Sequence, residues 1–596
     1  MKFLRDKGSG ADLPIAPVST MTSESTRTGT WRTSRPAFVE RIPACKSACP
    51  TASDAECWIR LMEQGERSKA FDAATIENPF PAITGRICPH PCTEVCNRVH
   101  LGGAVNIKAI ERAVADSMGA SLPAAQSFFA STGKRIAVVG AGPSGLACAY
   151  HLARLGHTVR IVEREREAGG MLRYGIPAFR LPREVLDREI RRLVDMGIEL
   201  ALGKPVPDAT HMQSLRQDFD AVYLSIGAHR QKALGLGEQE TSGLSTGLEY
   251  LKRASDGRNP AAGRRVIVIG GGNTAVDVAR TALRFGSEVT LIHAGQREEM
   301  DAFDVHLAHA CEEGVRLELM TEPVRILTAA GRVSGLVCRR LKPAGGAEVA
   351  SENATALADE EVDFSADAII AATGERVDTS IIPSALHMEG TAIRTDRTGR
   401  TEWNNVFAGG DFIDEPRMVA HALAAGKRGA MAIDCMLRGV SAEKVLDDMR
   451  VERSGPLMMS RYVARRLGSD PVELAMASSS HVDRIVRFRD LNANYFEPSS
   501  PSAQPLVAPA ERLKERPFAE YEGPLSAEAL GSELARCFHC GRCTHCDNCY
   551  IYCPDAAISK DDSAYGVDLE HCKGCGVCAR ECPRAAIEMK DEESEF

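Results

Sequence analysis

The chain has 596 residues, of which 44% are hydrophobic and 26% charged, a composition typical of a globular protein with more than one core. Its formal net charge of −9 has the wrong sign for a surface that binds nucleic acid or an anionic membrane. The first residues lack the apolar stretch of a signal peptide, and no segment approaches the roughly 20 apolar residues that span a bilayer. We therefore expect a cytoplasmic protein with neither nucleic-acid nor membrane partners.

Residues 1–40 are rich in Ser, Thr, Pro and Arg, which favours a flexible N-terminal arm. Beyond it, cysteines dominate both ends of the chain: fifteen of the twenty fall in two dense groups, within 45–96 and 537–582. Tight cysteine spacing in a chain without an export signal indicates metal ligands rather than disulfides. The other five are typical of small buried thiols: Cys57, Cys148, Cys311, Cys338 and Cys435.

The segment RIAVVGAGPSG, which begins at residue 135, has the strand–glycine–helix pattern of a dinucleotide-binding fold. Gly140 permits a tight turn, Gly142 lets a pyrophosphate approach the backbone, and Gly145 allows close packing of helix on strand. The pyrophosphate then lies on the helix N-terminus, whose free N–H groups favour negative charge. Glu163 ends the next strand, about 20 residues on, where an acid binds ribose hydroxyls.

A second segment of this kind, RRVIVIGGGNTA, follows about 130 residues later. Gly270, Gly272 and Ala275 give the G-x-G-x-x-A variant, and the following strand ends in TLIHAG without an acid. Two such sites in one chain suggest FAD in one and a nicotinamide nucleotide in the other, placed for hydride transfer. That chemistry belongs to the cofactors, so no catalytic side chain is required.

Four segments resemble the small subunit of glutamate synthase and related oxidoreductases: AGGMLRYGIPAFRLP (168–182), GGGNTAVDVARTAL (270–283), AATGE (371–375) and NNVFAGGD (404–411). The similarity extends over about residues 40–440. It implies that residues of these segments bind the cofactors together with the two glycine turns: Gly170, Arg173, Asn273, Gly374, Gly410 and Asp411. In the family the segment with Asp411 returns to the FAD, and the acid lies near the ribityl–phosphate end.

The resemblance implies an α/β protein with two Rossmann-like domains, in which the nicotinamide domain is inserted into a split FAD domain. A Pro- and Ser-containing stretch after residue 440 reads as a linker. The expected organisation is an arm (1–40), a helical iron–sulfur domain (41–132), an FAD domain (133–245 and 365–440), an NAD(P) domain (246–364), a linker (441–535) and an α+β bacterial-type ferredoxin domain (536–596).

One departure from the family concerns the choice of nucleotide. Family members that use NADPH carry two arginines after the second strand, which bind the 2′-phosphate, and the matching residues here are Ala294 and Gly295. His293 and Arg297 remain as candidate phosphate ligands. Since both the arginine pair and a ribose-binding acid are missing, the sequence does not distinguish NADH from NADPH.

The C-terminal cysteines repeat the run C-x2-C-x2-C-x3-C-P. This is the pattern of two-cluster bacterial ferredoxins, in which the fourth cysteine of each run ligates the other cluster. One 4Fe–4S cluster is therefore expected on Cys543, Cys546, Cys549 and Cys582, and the other on Cys572, Cys575, Cys578 and Cys553. The alternative is a pair of zinc sites, which need only split C-x2-C knuckles and leave the doubled run unexplained.

The segments RIPACKSACP and GRICPHPCTEVCN resemble the N-terminal iron–sulfur domain of the same family, which holds two 4Fe–4S clusters. The resemblance implies that one of them is held by Cys49, Cys88, Cys92 and Glu111. The alternative for Glu111 is a solvated helix residue. The other cluster of the family uses Cys45, Cys96 and an upstream R-C-x2-C-G segment.

No cysteine precedes Cys45, yet an R-C-x2-C-G segment with Cys537 and Cys540 stands near the other end of the chain. We hypothesise that Cys537 and Cys540 complete a cluster with Cys45 and Cys96, which would give four clusters in all. The alternative is that these four cysteines bind zinc or no metal, because ligand sets cannot be deduced from spacing across domains.

The C-terminal module also resembles the ferredoxin-type small subunit of 2-oxoacid:ferredoxin oxidoreductases, through CDNCYIYCPDAAI and HCKGCGVCARECPRAAIEM. This implies a hetero-oligomer with a thiamine-diphosphate enzyme acting on 2-oxoglutarate or pyruvate, with ferredoxin, or with both. The predicted function is electron transfer between NAD(P)(H) and the clusters through FAD, in a direction that the sequence does not specify. The alternatives are a stand-alone NAD(P)H:ferredoxin oxidoreductase, a glutamate synthase electron-input subunit and a non-catalytic relay or scaffold.

Overall fold

A computed structural model describes residues 27–592 except 121, 233, 237–240, 261–262, 343–354, 381, 391, 453, 469–484, 515 and 562–563. Most of the expected arm, residues 1–26, lies outside the described residues. The remainder of the arm is part of the fold, since Ser34–Phe38 is a strand that pairs antiparallel with Ile587–Asp591. This pairing brings the N-terminal segment against the C-terminal module.

The N-terminal iron–sulfur region is helical, as predicted. Its helices pack on a core that includes Trp58, Phe71 and Ile110, all buried. Two of the helices begin at capping side chains: Asp54 accepts from the Cys57 backbone N–H, and Asn106 accepts from the Ala109 backbone N–H. The helices are Ala44–Ala48, Ala55–Glu63, Arg67–Glu77, Pro81–Ile87, Pro91–Glu94 and Ile107–Asp116, and Asn97–His100 is a 3₁₀ helix.

The first dinucleotide domain is built on a parallel five-stranded sheet. Its central strand Arg135–Val139 is buried at four of five residues, as expected when helices cover both faces of a parallel sheet. The strand order is Val406–Ala408, Ala221–Leu224, Arg135–Val139, Thr158–Val162 and Glu199–Ala201. The helices are Pro143–Arg154, Met171–Tyr174, Arg183–Asp195, Ala209–Asp218 and Val419–Leu437, with a 3₁₀ turn at Gly410–Phe412.

The second dinucleotide domain repeats this sheet and adds an antiparallel one. The parallel sheet has the order Arg316–Glu318, Glu288–Ile292, Arg265–Ile269, Ala368–Ala371 and Leu244–Thr246. The antiparallel sheet consists of Thr321–Ala329, Arg332–Lys342 and Thr355–Ser365. The helices are Gly247–Ser255, Asn273–Arg284 and Asp304–Glu312, with a 3₁₀ turn at Arg297–Glu299. Short strand pairs join Arg230–Gln231 to Glu375–Arg376 and Met388–Glu389 to Ala392–Ile393. The predicted α/β class with two Rossmann-like domains is confirmed.

The C-terminal part begins with helices and ends in a small α+β module. Between the two dinucleotide domains and the module lie Ala442–Asp448, Met459–Leu467 and Ala527–Leu534, the strand Ile485–Val486, and 3₁₀ turns at Phe488–Asp490 and Ala493–Tyr495. The module contains the helices Asn548–Ile551 and Val577–Arg580 and the strands Ile558–Lys560, Tyr565–Val567 and Ile587–Asp591. No helix in the described part of the chain combines the length and apolar character that crossing a bilayer requires.

Residues 505–523, called the strap, connect the nicotinamide domain to the iron–sulfur region. Glu520 accepts from Arg86 at 2.9 Å and from Arg112 at 3.0 Å, on two helices of the iron–sulfur region. At the other side, Arg512 lies 3.2 Å from Glu313 of the nicotinamide domain. The segment expected to be a linker therefore carries ion pairs to two different domains.

Glu313 is the one acid among the described residues that contacts all three buried arginines of this region. Its carboxylate lies 2.6 Å from Arg280 and 2.7 Å from Arg284, besides Arg512. Burial favours the protonated acid, but hydrogen bonds from Arg280 and Arg284 lower the pKa of Glu313 to about 2. Because the folded pKa is below the unfolded value of roughly 4.3, this stabilisation is complete above that pH and is lost as the pH falls towards 2.

The substitution Glu313→Gln is expected to destabilise the nicotinamide domain by roughly 3–5 kcal/mol, because it leaves buried arginines without their counter-charge. The thermal unfolding midpoint should fall by about 10 °C at pH 7, and the difference from wild type should shrink as the pH is lowered through 4. Glu312→Gln is the matched control, since Glu312 is half exposed and 3.7 Å from Arg512. Equal midpoints for the two variants would contradict this account.

Candidate flavin, nucleotide and iron–sulfur sites

The first glycine turn leads into the helix Pro143–Arg154. Gly140 has a φ of +102°, and a Cβ there would lie 2.5 Å from the carbonyl oxygen of Ser225. A Cβ on Gly145 would clash with the Gly140 carbonyl, so its absence lets the helix pack closely. Gly142 differs from both, because a Cβ there would meet no atom within 4 Å. This open backbone and the free N–H groups of the helix N-terminus form a place for a pyrophosphate.

A cavity of about 420 Å³ adjoins this turn. Glu163 lines it, and its carboxylate accepts from the backbone N–H groups of Ala141 at 2.6 Å and Glu165 at 2.9 Å. Each carboxylate oxygen has a further lone pair, so Glu163 keeps the capacity to accept from ribose hydroxyls. The predicted flavin residues that line the cavity are Gly140, Gly142, Glu163, Gly170, Gly410 and Asp411.

The second glycine turn has the same geometry. Gly270 has a φ of +147°, and a Cβ on Gly272 would meet no atom within 4 Å. The helix Asn273–Arg284 begins immediately after it. A cavity of about 690 Å³ adjoins this turn, and the predicted residues that line it are Gly270, Gly272, Asn273, Gly374 and Asp411.

The two cavities meet. Pro143, Met171, Asp411 and Ala422 line both of them. A flavin held at the first turn and a nicotinamide held at the second would therefore share one contact region, which hydride transfer requires. The open backbone at both turns and the common wall fit two dinucleotides.

Four predicted contact residues line neither cavity. Gly145 and Ala275 lie on the two helices, behind their turns. Arg173 donates to the Ala168 carbonyl at 2.7 Å and pairs with Asp187, so it holds the 168–175 loop in shape. Arg297 pairs with Asp304 of the nicotinamide domain.

Other residues line the second cavity without having been predicted: Arg180, Lys232, Glu375 and Arg417. Burial raises the pKa of Glu375, and its buried Oε1 has no hydrogen-bond partner among the described residues. Arg180 bridges to Asp277, 2.5 Å away, at the base of the second turn. Arg180 and Glu375 belong to the segments 168–182 and 371–375, whose resemblance to the family could have identified them as cavity residues. No sequence motif indicates Lys232 or Arg417.

In the N-terminal region, the four predicted cluster ligands Cys49, Cys88, Cys92 and Glu111 line one small cavity. Cys92 is on the short helix Pro91–Glu94, and Glu111 on the helix Ile107–Asp116. Glu111 is buried, not solvated, and its carboxylate accepts from Asn78 at 2.9 Å and contacts the His90 ring at 3.1 Å. An acid directed into a ring of thiols fits a cluster with one carboxylate ligand.

The remaining N-terminal cysteines meet the two from the far end of the chain. The pKa of the Cys45 thiol is raised by burial and by the nearby sulfurs of Cys96, Cys92, Cys537 and Cys540. Asn97, next to Cys96, donates its side-chain amide to the Cys540 sulfur at 3.3 Å. The structure therefore brings together the four cysteines of the crossed set.

The eight cysteines of the doubled C-terminal run surround two small cavities. One is lined by Cys543, Cys546, Cys549 and Cys582, and the other by Cys553, Cys572, Cys575 and Cys578. Backbone N–H groups approach the exchanged cysteines in equivalent ways, at 3.2 Å from Ala557 to Cys553 and 3.3 Å from Ala586 to Cys582. Such N–H to sulfur contacts are a feature of iron–sulfur sites.

Within the described ranges, no group of three or more His, Cys, Asp or Glu side chains has the spacing of a site for a single metal ion. A four-iron cluster takes its four ligands one per iron, so they surround a larger volume than the ligands of one ion. The three small cavities are of that kind: the two in the ferredoxin module have four predicted ligands each, and the N-terminal one has four and, in addition, Cys45 of the crossed set.

The fold and these sites define a flavoprotein oxidoreductase with two dinucleotide-binding domains and iron–sulfur domains at both ends. Residues 134–426 match the family described as pyridine nucleotide-disulphide oxidoreductase. Residues 32–121 match dihydropyrimidine dehydrogenase domain II, 4Fe-4S cluster, and residues 542–586 match the 4Fe-4S dicluster domain. These matches confirm the predicted flavin, nicotinamide and 4Fe–4S cofactors.

The chain belongs to the glutamate synthase small-chain family, as its motifs predicted. It is 31% identical to the glutamate synthase (NADPH) small chain of Escherichia coli, over 66% of this chain and 88% of that one. It is 33% identical to the NADPH-Fe(3+) oxidoreductase subunit beta of Geobacter sulfurreducens, over 69% of this chain and 66% of that one. It is 30% identical to the NADP(+)-dependent formate dehydrogenase subunit beta of Moorella thermoacetica, over 84% of this chain and 70% of that one. The chain thus spans just under two thirds of the Geobacter relative.

Proposed function

We propose that the chain transfers electrons between NADP(H) and a series of 4Fe–4S clusters through FAD, as the nucleotide-linked subunit of a hetero-oligomeric oxidoreductase. The position of Cys88 carries the proposal. Ile87 and Pro89, on either side of it, line the 690 Å³ cavity at the second glycine turn, called the nucleotide cavity. Cys88 itself lines the cavity of the first cluster, which is the cluster predicted on Cys49, Cys88, Cys92 and Glu111. A single layer of residues thus separates the cluster from the cavity whose wall the flavin and nicotinamide sites share, which supports electron transfer from a flavin bound at that wall to the cluster.

The same layer includes the N-terminal end of the helix Val419–Leu437. Val419 and Ala422 line the nucleotide cavity, and Ala420 lines the cluster cavity. Bound FAD would supply the conversion between the two-electron chemistry of a nicotinamide and the one-electron chemistry of the clusters. The chain's own residues would bind and orient the cofactors: the two helix N-termini would hold the diphosphates, and Pro143 and Met171 line the region where the two cavities meet.

NADP(H) is the proposed nucleotide, since all three relatives described above are named for NADPH or NADP(+). The residues after the second strand differ from a tandem arginine pair. His293 lines the cavity beside Gly271, and its Nε2 is buried without a hydrogen-bond partner among the described residues. Burial lowers the pKa of His293, so at neutral pH its ring is an uncharged donor or acceptor.

The proposed partner is the catalytic part of a 2-oxoacid oxidoreductase, docked on the ferredoxin module. The resemblance of the module to the small subunit of such enzymes supports it. So does a surface formed by Tyr550, Ile551 and Tyr552, which are 49%, 67% and 51% exposed. These side chains follow Cys549 and precede Cys553, one ligand of each predicted cluster. Exposed aromatic residues next to a redox centre are the kind that protein partners cover.

A formate dehydrogenase-type partner is the second candidate. The Moorella relative, named for that activity, aligns with 84% of this chain, more than the other two. A glutamate synthase partner is supported by the Escherichia coli relative, which aligns with 66% of the chain. We also propose a cytoplasmic location, because thiols clustered in this way stay reduced there.

The function is tested with the anaerobically purified chain and the proteins that copurify with it. NADPH is expected to bleach the flavin and then to produce the EPR signal of reduced clusters, and NADH should do so more slowly. The complex should reduce NADP⁺ with 2-oxoglutarate or pyruvate plus coenzyme A, and not with formate. Formate-driven reduction would select the second candidate. Absence of flavin bleaching would leave a non-catalytic relay as the better description.

A further inference from the structure

We propose that Cys45, Cys96, Cys537 and Cys540 hold a 4Fe–4S cluster whose ligands come in equal number from the two ends of the chain. This inference rests on the proposed function for its role as a relay, but not for its existence. The two iron–sulfur domain matches, at 32–121 and 542–586, leave Cys537 and Cys540 between them. No family assignment above therefore places a metal on these two cysteines.

The four thiols converge although about 440 residues separate the two pairs. Cys45, Cys96 and Cys537 all pack, partly buried, against the same hydrophobic core. The Asn97 amide contacts the Cys540 sulfur at 3.3 Å and the Val486 carbonyl at 2.9 Å. The His539 backbone N–H lies 3.4 Å from the Cys537 sulfur, a donor of the kind that clusters accept.

The loop 536–541 is held in place at nearly every residue by the N-terminal region. Arg536 donates to the backbone carbonyls of Gly103 at 2.6 Å and Ala104 at 2.9 Å. Its guanidinium also pairs with buried Glu533 at 2.6 Å. Phe538 is 2% exposed and lies beneath the Arg98 guanidinium, 4.8 Å from the ring centre. The residues beside Cys537 thus serve to anchor it.

The second half of the loop is anchored in the same way. His539 is buried between Glu56, 3.0 Å away, and Glu63, 3.1 Å away, both on the N-terminal helix that follows Cys49. Gly541 has a φ of +79°, and a Cβ there would lie 2.5 Å from the Arg41 carbonyl oxygen. These contacts deliver Cys537 and Cys540 to the N-terminal region, while Gly541, at the end of the loop, also donates its backbone N–H to the Arg584 carbonyl of the ferredoxin module at 2.7 Å.

The position of the crossed set also gives it a role. On one side, Cys45 lines the same small cavity as Cys92, a predicted ligand of the first cluster. On its other side, Cys540 is three residues from Cys543, a ligand of the ferredoxin module. The crossed cluster therefore lies between the cluster next to the flavin and the two that face a partner. Without it, the proposed route from flavin to ferredoxin module lacks an intermediate site.

The test compares wild type with the variant Cys537→Ala/Cys540→Ala, purified anaerobically as full chains. Iron and sulfide per chain should be about sixteen in wild type and about twelve in the variant, with one FAD in each. The EPR signal of one reduced cluster should disappear. After mixing with NADPH, flavin bleaching should be unchanged, while the ferredoxin clusters stay oxidised. The control is Cys57→Ala/Cys311→Ala, two cysteines outside every proposed set, which should behave as wild type.

A second variant, Cys45→Ala/Cys96→Ala, removes the other half of the same site and should lose the same four irons. About twelve irons in wild type, stoichiometric zinc in wild type, or an unchanged iron content in either ligand variant would overturn the proposal. The wild-type iron count decides the matter even if a variant fails to fold. Failure of NADPH to bleach the flavin in wild type would count against the proposed function and leave the iron count, and hence this inference, unaffected.

Discussion

Replacing Cys88 by alanine is expected to disconnect the flavin from the clusters without removing either the flavin or the ferredoxin module. Among the predicted ligands of the first cluster, Cys88 is the one whose two neighbours in sequence, Ile87 and Pro89, line the nucleotide cavity. Losing a residue that only supports a metal ligand costs roughly 10–100-fold in metal affinity, and losing the ligand itself costs more. The variant should therefore lack the first cluster, and electrons from NADPH should remain on the flavin.

The measurement is anaerobic stopped-flow absorbance of the flavin, combined with EPR of samples frozen at the same times. Flavin bleaching should proceed at the wild-type rate, while the cluster signals fail to develop and reduction of an artificial one-electron dye by way of the clusters is lost. Cys57→Ala is the matched control, because Cys57 is in the same helical region but outside the predicted ligand sets. Normal cluster reduction in Cys88→Ala would mean that electrons enter by a different route.

The variants Gly142→Val and Gly272→Val are expected to separate the two dinucleotide sites. Both glycines have ordinary backbone angles, with φ of −78° and −94°, and a Cβ at either would meet no atom within 4 Å. The fold should therefore accept valine at both. The added side chain would fill the space where a pyrophosphate approaches the backbone. Gly142→Val should be isolated without FAD but with its full iron content.

Gly272→Val should keep FAD and iron and lose only nucleotide binding, with the KM for NADPH rising by about 100-fold, the size of effect that misplacing a reactant by about 1 Å produces. Flavin content, iron content and steady-state kinetics on both variants are the measurements. Each variant is the control for the other, since the substitution is the same and the backbone geometry is alike. Loss of FAD from Gly272→Val, or its retention by Gly142→Val, would contradict the assignment of the two turns.

The sequence by itself determined the family, the fold class and the cofactors. This was possible because the relevant signals are local: a glycine turn between a strand and a helix, such as Gly140 to Gly145, specifies its backbone within a few residues. The doubled cysteine run is equally local, and the structure groups its eight members around two cavities in the predicted combination. Short-range geometry of this kind depends little on the rest of the chain.

Tertiary structure alone decided how these local units connect. Sequence spacing suggested that Cys537 and Cys540 could serve the N-terminal region, but only the packing of Phe538 and His539 against that region brings them to Cys45. The strap was expected to be a linker, and its ion pairs join elements hundreds of residues apart. The placement of Cys88 in the cluster cavity, between two residues that line the nucleotide cavity, is likewise decided by domain packing. Contacts between distant segments depend on how whole domains pack, and that packing leaves no mark in the local pattern of residues.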